Sequence, residues 1–91
     1  MAVLLLVTQK VKDYDTWVAG YRANAARREA AGIVERFVGR DAKQPNIAHV
    51  GLVAPSMEDA DRYLSSPALL DAMASAGVAN VPEIRFVLLG S

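Results

Sequence analysis

The sequence predicts an α+β domain in which four antiparallel strands form one sheet and two helical regions cover one side of it. Three observations carry this prediction. Four short apolar runs have strand length, two of the intervals between them show three- and four-residue helical spacing, and the two periods alternate in a fixed order.

Met1–Val11 contains AVLLLV, which is short, partly β-branched and followed by polar residues, and so reads as a strand. Leu4 and Leu6 make one face apolar and Val3, Leu5 and Val7 the other, so both faces need cover. Lys12–Asp13 then opens a helix that runs to Gly32. Asp13 or Asp15 can accept from its first free amides and complement its dipole, and Gly32 suits a left-handed cap at its end. Tyr14, Trp17, Val18, Tyr21, Ala25 and Arg28 recur at the spacing of one helical face. Ile33–Arg40 is a second strand, Asp41–Asn46 (DAKQPN) a turn, and Ile47–Ala54 a third strand that closes a hairpin. Ser56, with Asp59 three residues on, starts the next helix. Ser66–Pro67 divides that region into Met57–Ser65 and Pro67–Ala76, with Gly77 closing the second piece. Pro82 precedes EIRFVLLG, the fourth strand.

The order βαββαβ gives the ferredoxin-like arrangement, a four-stranded antiparallel sheet with both helical regions on one face. No residues remain for the other face. A second copy of the sheet is its simplest cover, so a homodimer packed sheet to sheet is expected. Size points the same way. The 91 residues make one domain, 1–91, and a chain this short buries only about 60–65% of the surface its unfolded form exposes. There is no cysteine to cross-link it and only one histidine, His49, so neither a disulfide nor a multi-histidine metal site supports the fold. No metal or cofactor is expected. Ten basic residues balance ten acidic ones, which removes the bulk charge that draws a protein to nucleic acid or an anionic membrane. The longest apolar run, Ala2–Val7, is far too short to span a bilayer and lacks a basic leader and a cleavage site, so a cytoplasmic location is expected.

Three stretches resemble the dimeric α+β barrel superfamily, in particular the small proteins related to antibiotic-biosynthesis monooxygenases and stress-responsive barrel proteins. They are W-x3-Y-x6-R-x3-G (Trp17, Tyr21, Arg28, Gly32), PNIAHV (Pro45–Val50) and the ending SSPALLDAMASAGVANVPEIRFV (residues 65–87). The resemblance covers nearly the whole chain. It implies a dimeric barrel and, in the enzymes of the group, a cavity between helices and sheet lined by Trp, Tyr, Asn or Arg and often His. The counterparts here are Trp17, Tyr21, Asn24, Arg28 and His49. LVAPS stands where the oxygenases carry a tryptophan after the third strand, and the several histidines of the cyclase type are missing.

Each candidate has a functional and a structural reading. Trp17, Tyr21, Asn24 and Arg28 share one stripe, and can form a wall on which a flat ligand stacks while Arg28 and Asn24 hold a carbonyl or phenolate. Helical periodicity alone would also place Trp17 and Tyr21 at the core edge, with Arg28 snorkelling past them or pairing with Glu35. Tyr14 and Tyr63 are further candidate ligand contacts or core-edge aromatics. His49 stands in an apolar strand as a general base or as an internally satisfied histidine, a haem ligand being a third reading. Gly51, two residues on, would leave room for a ligand beside it. The strand arginines Arg36, Arg40 and Arg85 are expected to pair with Glu35, Glu83 or Asp41. No nucleophile elbow or phosphate loop is visible. Two functions follow: a cofactor-independent monooxygenase, cyclase or isomerase acting on a small aromatic or polyketide-like molecule, with His49, Arg28 and Asn24 catalytic and Trp17, Tyr21, Tyr14 and Tyr63 binding it; or a non-catalytic small-molecule-binding or stress-responsive protein.

Overall fold

A computed structural model of the protein describes residues 1–66 and 82–90. Four strands, β1 (Val3–Lys10), β2 (Val34–Arg40), β3 (Ile47–Ala54) and β4 (Glu83–Leu88), form one antiparallel sheet in the order β2-β3-β1-β4. Helices α1 (Tyr14–Ala23), α2 (Ala25–Ala30) and α3 (Met57–Leu64) complete the described elements. This is the predicted α+β, ferredoxin-like arrangement, with β3 inserted between β1 and β2. The expected segment Pro67–Ala76 and its Gly77 cap lie outside the described residues.

Local chemistry sets the element ends. Asp13 caps α1, accepting from the Thr16 amide at 2.9 Å and the Thr16 hydroxyl at 2.7 Å. Ser56 caps α3 reciprocally with Asp59: its hydroxyl accepts from the Asp59 amide at 3.1 Å and donates to the Asp59 carboxylate at 2.9 Å. The single helix expected from Lys12 to Gly32 is broken at Asn24, whose side-chain amide donates to the Gly20 carbonyl at 2.8 Å. An asparagine that bonds back to the preceding turn offers the backbone an alternative to continuing the helix. Gly32 ends α2 at φ 76°, with its amide on the Glu29 carbonyl and the Ile33 amide on the Arg28 carbonyl. That pair of bonds is the Schellman closure.

Register divides the sheet into two faces. The helix side carries Val3, Leu5, Val7 and Gln9 opposite Ala54, Leu52, Val50 and Ala48. Val3, Leu5, Ala48 and Ala54 have no solvent-accessible surface. They form the core with Trp17 of α1 and Ala60 of α3. The other face is open within the subunit and is graded from rung to rung. Its first rung, Val34–Val53–Leu4–Val87, is apolar across all four strands. The second is Phe37–Gly51–Leu6–Arg85, and the third, Gly39–His49–Thr8–Glu83, is polar. Val34, Phe37 and Val87 are 54%, 45% and 39% exposed, large values for apolar side chains that share one surface.

A bulge between Glu35 and Phe37 decides what β2 presents. Glu35 lies opposite Leu52 on the helix side, yet Phe37 lies opposite Gly51 on the open side. Strict alternation would have kept Glu35 and Phe37 together; the extra residue, Arg36, reverses the parity. The room expected beside Gly51 is therefore taken. The Phe37 ring lies over this glycine so closely that a Cβ there would overlap it. Among the described residues no helix is long and apolar enough to cross a membrane.

Gly32→Ala tests the helix end. Added at φ 76°, a Cβ meets Pro55 only at ordinary contact distance, so the cost is conformational. A loss of about 1 kcal/mol in unfolding free energy is expected from urea titration.

Candidate functional site

The helical stripe closes on itself as a ladder of rings. Tyr14 and Trp17 have centroids 5.9 Å apart and tilted, and Trp17 and Tyr21 stack at 5.4 Å with an interplanar angle of 20°. A guanidinium covers each end: Arg40 over Tyr14 at 4.6 Å and Arg28 over Tyr21 at 3.7 Å. Aromatic pairs of this kind contribute about 0.5–1.5 kcal/mol each beyond burial, and a desolvated cation over a ring about 2. Arg40 also pairs with Asp15 at 3.3 Å, not with the carboxylates expected from its strand position.

Arg28 is 6% exposed, and its charge is met locally. Nη1 donates to the Tyr21 backbone carbonyl at 2.8 Å while the guanidinium plane lies on the Tyr21 ring. The expected Arg28–Glu35 pairing is replaced by a different one: the Tyr21 hydroxyl donates to the Glu35 carboxylate at 2.7 Å. Burial, and secondarily this bond to Glu35, push the Tyr21 phenol well above its ordinary pKa, against the opposing pull of Arg28. Burial also raises Tyr63. Both remain protonated donors at neutral pH.

Between this ladder and the sheet lies a partly open cavity of about 100 Å³. Trp17, Tyr21, Asn24 and Arg28 line it from the helices, Tyr63 and Leu64 from α3, and Val7, Val50, Leu52 and Ile84 from the sheet. An enclosed apolar cavity of about 150 Å³ admits benzene, so this one is on the scale of a single ring. Gln9, 2% exposed, also lines it, a polar floor residue that sequence reasoning missed. Its signal was present: Gln9 has the parity of Val3, Leu5 and Val7. Tyr14 belongs to the ladder but not to the lining.

His49 does not join this group. Its rung faces the open side of the sheet, so the expected cavity shared by Trp17, Tyr21, Arg28 and His49 does not form within one subunit. Strand parity explains the separation, since His49 alternates with Ala48 and Val50, both buried on the helix side. On the open face His49 Nε2 meets Asp41 at 2.7 Å and Nδ1 lies 3.3 Å from Thr8 Oγ1. The bond from His49, followed by those from the Lys43 and Gln44 amides, holds the Asp41 carboxyl below its ordinary range. Among the described residues no three histidine, aspartate or glutamate side chains gather as a metal site.

With this geometry in place, comparison with solved structures is informative. A protein from Caulobacter crescentus CB15, provisionally named an antibiotic biosynthesis monooxygenase, superposes with a TM-score of 0.81 over 99% of this chain and 91% of its own, at 17% identity. SnoaB, a cofactor-independent oxygenase from Streptomyces nogalater, gives 0.80 over 99% and 94%, at 16% identity. A conserved protein from Methanosarcina mazei Go1 gives 0.76 over 96% and 91%, at 13%. The chain shares the fold of these three proteins. No family model matches the chain, and no curated protein matches it by sequence. At these identities the likeness concerns the backbone, and the site is argued from its own side chains.

Two outcomes test the site chemistry. Arg28→Met removes the ring cover and the bond to the Tyr21 carbonyl, and should lower unfolding free energy by about 2 kcal/mol while shifting the emission of the single tryptophan, Trp17. Asp41, with its folded pKa depressed, contributes stability that is fully present above the unfolded value of about 3.9 and lost as pH falls through the folded one. Urea titrations from pH 7 downward should show a loss beginning near that value that is smaller in Asp41→Asn.

Proposed function

We propose that the protein is a homodimer, joined open face to open face, that binds a small aromatic or polyketide-like molecule in the helix-side cavity of each subunit and acts on it without a cofactor, by oxygenation, cyclisation or isomerisation. The observation that carries this reading is the cavity wall: stacked Trp17 and Tyr21 beside a buried guanidinium. Flat apolar surface favours a ring, and Arg28 with Asn24 favours an oxygen that gains negative charge on it. Tyr63 offers a protonated hydroxyl and Gln9 an amide at the same cavity. The SnoaB likeness supports cofactor-free chemistry as the first to test. The apolar rung Val34–Val53–Leu4–Val87 supports the dimer, since burying each such side chain is worth about 1.5–3 kcal/mol.

A second reading, non-catalytic binding, is favoured by one specific observation. Of the groups named at the cavity, Tyr21 and Tyr63 are held protonated and Arg28 stays charged, so none of these is a base at neutral pH. Ligand turnover separates the two. Trp17 emission should respond to one-ring hydroxyaromatics with Kd between about 10 μM and 1 mM, and Arg28→Met should weaken binding about tenfold. Catalysis predicts oxygen uptake or a changed product with no cofactor added. Binding without either would establish the second reading, and no binding would remove both. Size measurement of wild type against Val87→Glu, on the apolar rung, tests the dimer, the variant being expected to run as a monomer.

A further inference from the structure

The open face carries a second cavity, about 450 Å³, that the helix-side function does not use. Leu6 and Phe37 form its apolar part, and Thr8, His49, Glu83 and Arg85 its polar part. Its polar groups are ordered from the turn outward. One oxygen of Asp41 accepts from the amides of Lys43 and Gln44, both at 3.0 Å, which fixes the carboxylate; the other meets His49 Nε2 at 2.7 Å. An ionised carboxylate only accepts, so Nε2 carries a hydrogen, and in the neutral ring Nδ1 is the bare nitrogen. Thr8 Oγ1, 3.3 Å away, is the hydroxyl that faces it.

We propose that this face is a proton-abstracting site for a small planar hydroxy compound, a phenol or an enol, in which Thr8 relays the proton to His49 and Asp41 positions the imidazole. The ligand O–H bond breaks as its proton passes to Thr8 Oγ1, and the proton of Thr8 passes to His49 Nδ1. Thr8 ends neutral, His49 ends as an imidazolium against the Asp41 carboxylate, and the ligand ends as an oxyanion. Arg85, on the neighbouring rung, supplies positive charge to that oxyanion. Phe37, lying over Gly51, supplies a flat apolar contact. Lys10 is the other cation with the parity of this face, and Glu83 and Asp41 are its anions. Acyl transfer by Thr8 is a poorer fit. Thr8 sits within a strand paired on both sides, whose backbone amides are committed to the sheet instead of forming an oxyanion hole. In a sheet-to-sheet dimer the apolar rung would take the contact and this polar end would lie at the mouth, but the relay is complete within one chain.

The probe is 4-nitrophenol, whose phenolate absorbs at longer wavelength than the phenol. At a pH below its own pKa, the phenolate-to-phenol ratio of the bound probe should exceed that in buffer about tenfold, one unit of apparent acidity. Amide resonances of Gly51 and Gly39 should shift, in addition to any shift at Gly20 from binding in the helix-side cavity. Thr8→Val and His49→Gln should return the ratio to its buffer value, and Thr8→Ser should retain it. Asp41→Asn should reduce it about threefold, which keeps the test decisive if Thr8→Val does not fold. A buffer-like ratio with wild type, an enhanced ratio that survives Thr8→Val or His49→Gln, a ratio left undiminished by Asp41→Asn, or shifts at Gly20 in place of Gly51 would overturn the proposal.

Discussion

A single-layer sheet has two surfaces to satisfy, and the described helices cover one of them. That constraint organises the chain. β1 lies between β3 and β4, and its side chains alternate between a core that excludes water and a surface the subunit leaves open. The apolar rung on the open surface is costly to leave in water at about 25 cal/mol per Å². Because one end of that surface is apolar and the other polar, the two ends can serve different purposes. The first suits packing, and the second holds hydrogen-bonded groups in fixed positions.

The helix side meets a different demand. Two short helices carrying Trp17 and Tyr21 on α1 and Arg28 on α2 toward a core would bury a charge. The solution is local, since the guanidinium bonds to the backbone carbonyl of Tyr21, one residue supplying both the ring beneath it and the oxygen at its edge. Glu35 then takes the phenol instead of the arginine. This arrangement leaves Arg28 charged, buried and fixed beside an apolar cavity, where an ion-pairing partner would have neutralised it.

Much of the fold was legible because it rests on period and punctuation. β3 matches its predicted limits of Ile47 and Ala54, and the Asp13, Ser56 and Gly32 ends follow from backbone chemistry that those residue types carry with them. The ladder Tyr14–Trp17–Tyr21 was legible as a stripe. Its partners were not, because whether a guanidinium meets a carboxylate or a ring depends on distances that spacing does not fix. The break at Asn24 was hidden in an otherwise helical pattern. His49 shows the limit most clearly. Its alternation with Ala48 and Val50 stated its face, but a motif-level resemblance grouped it with residues on the other side. Gln9 was overlooked for the opposite reason, its parity being correct and its residue type unexpected.

The extra residue at Arg36 has a consequence for how such a chain can diversify. Everything in β2 beyond it is out of phase with what precedes it, so Phe37 reaches one compartment and Val38 the other. Removing one amino acid at that point would leave strand length and chain path nearly intact yet exchange the cargo of two chambers in one step. Insertions and deletions here would thus remodel both surfaces together, whereas a point substitution alters only one.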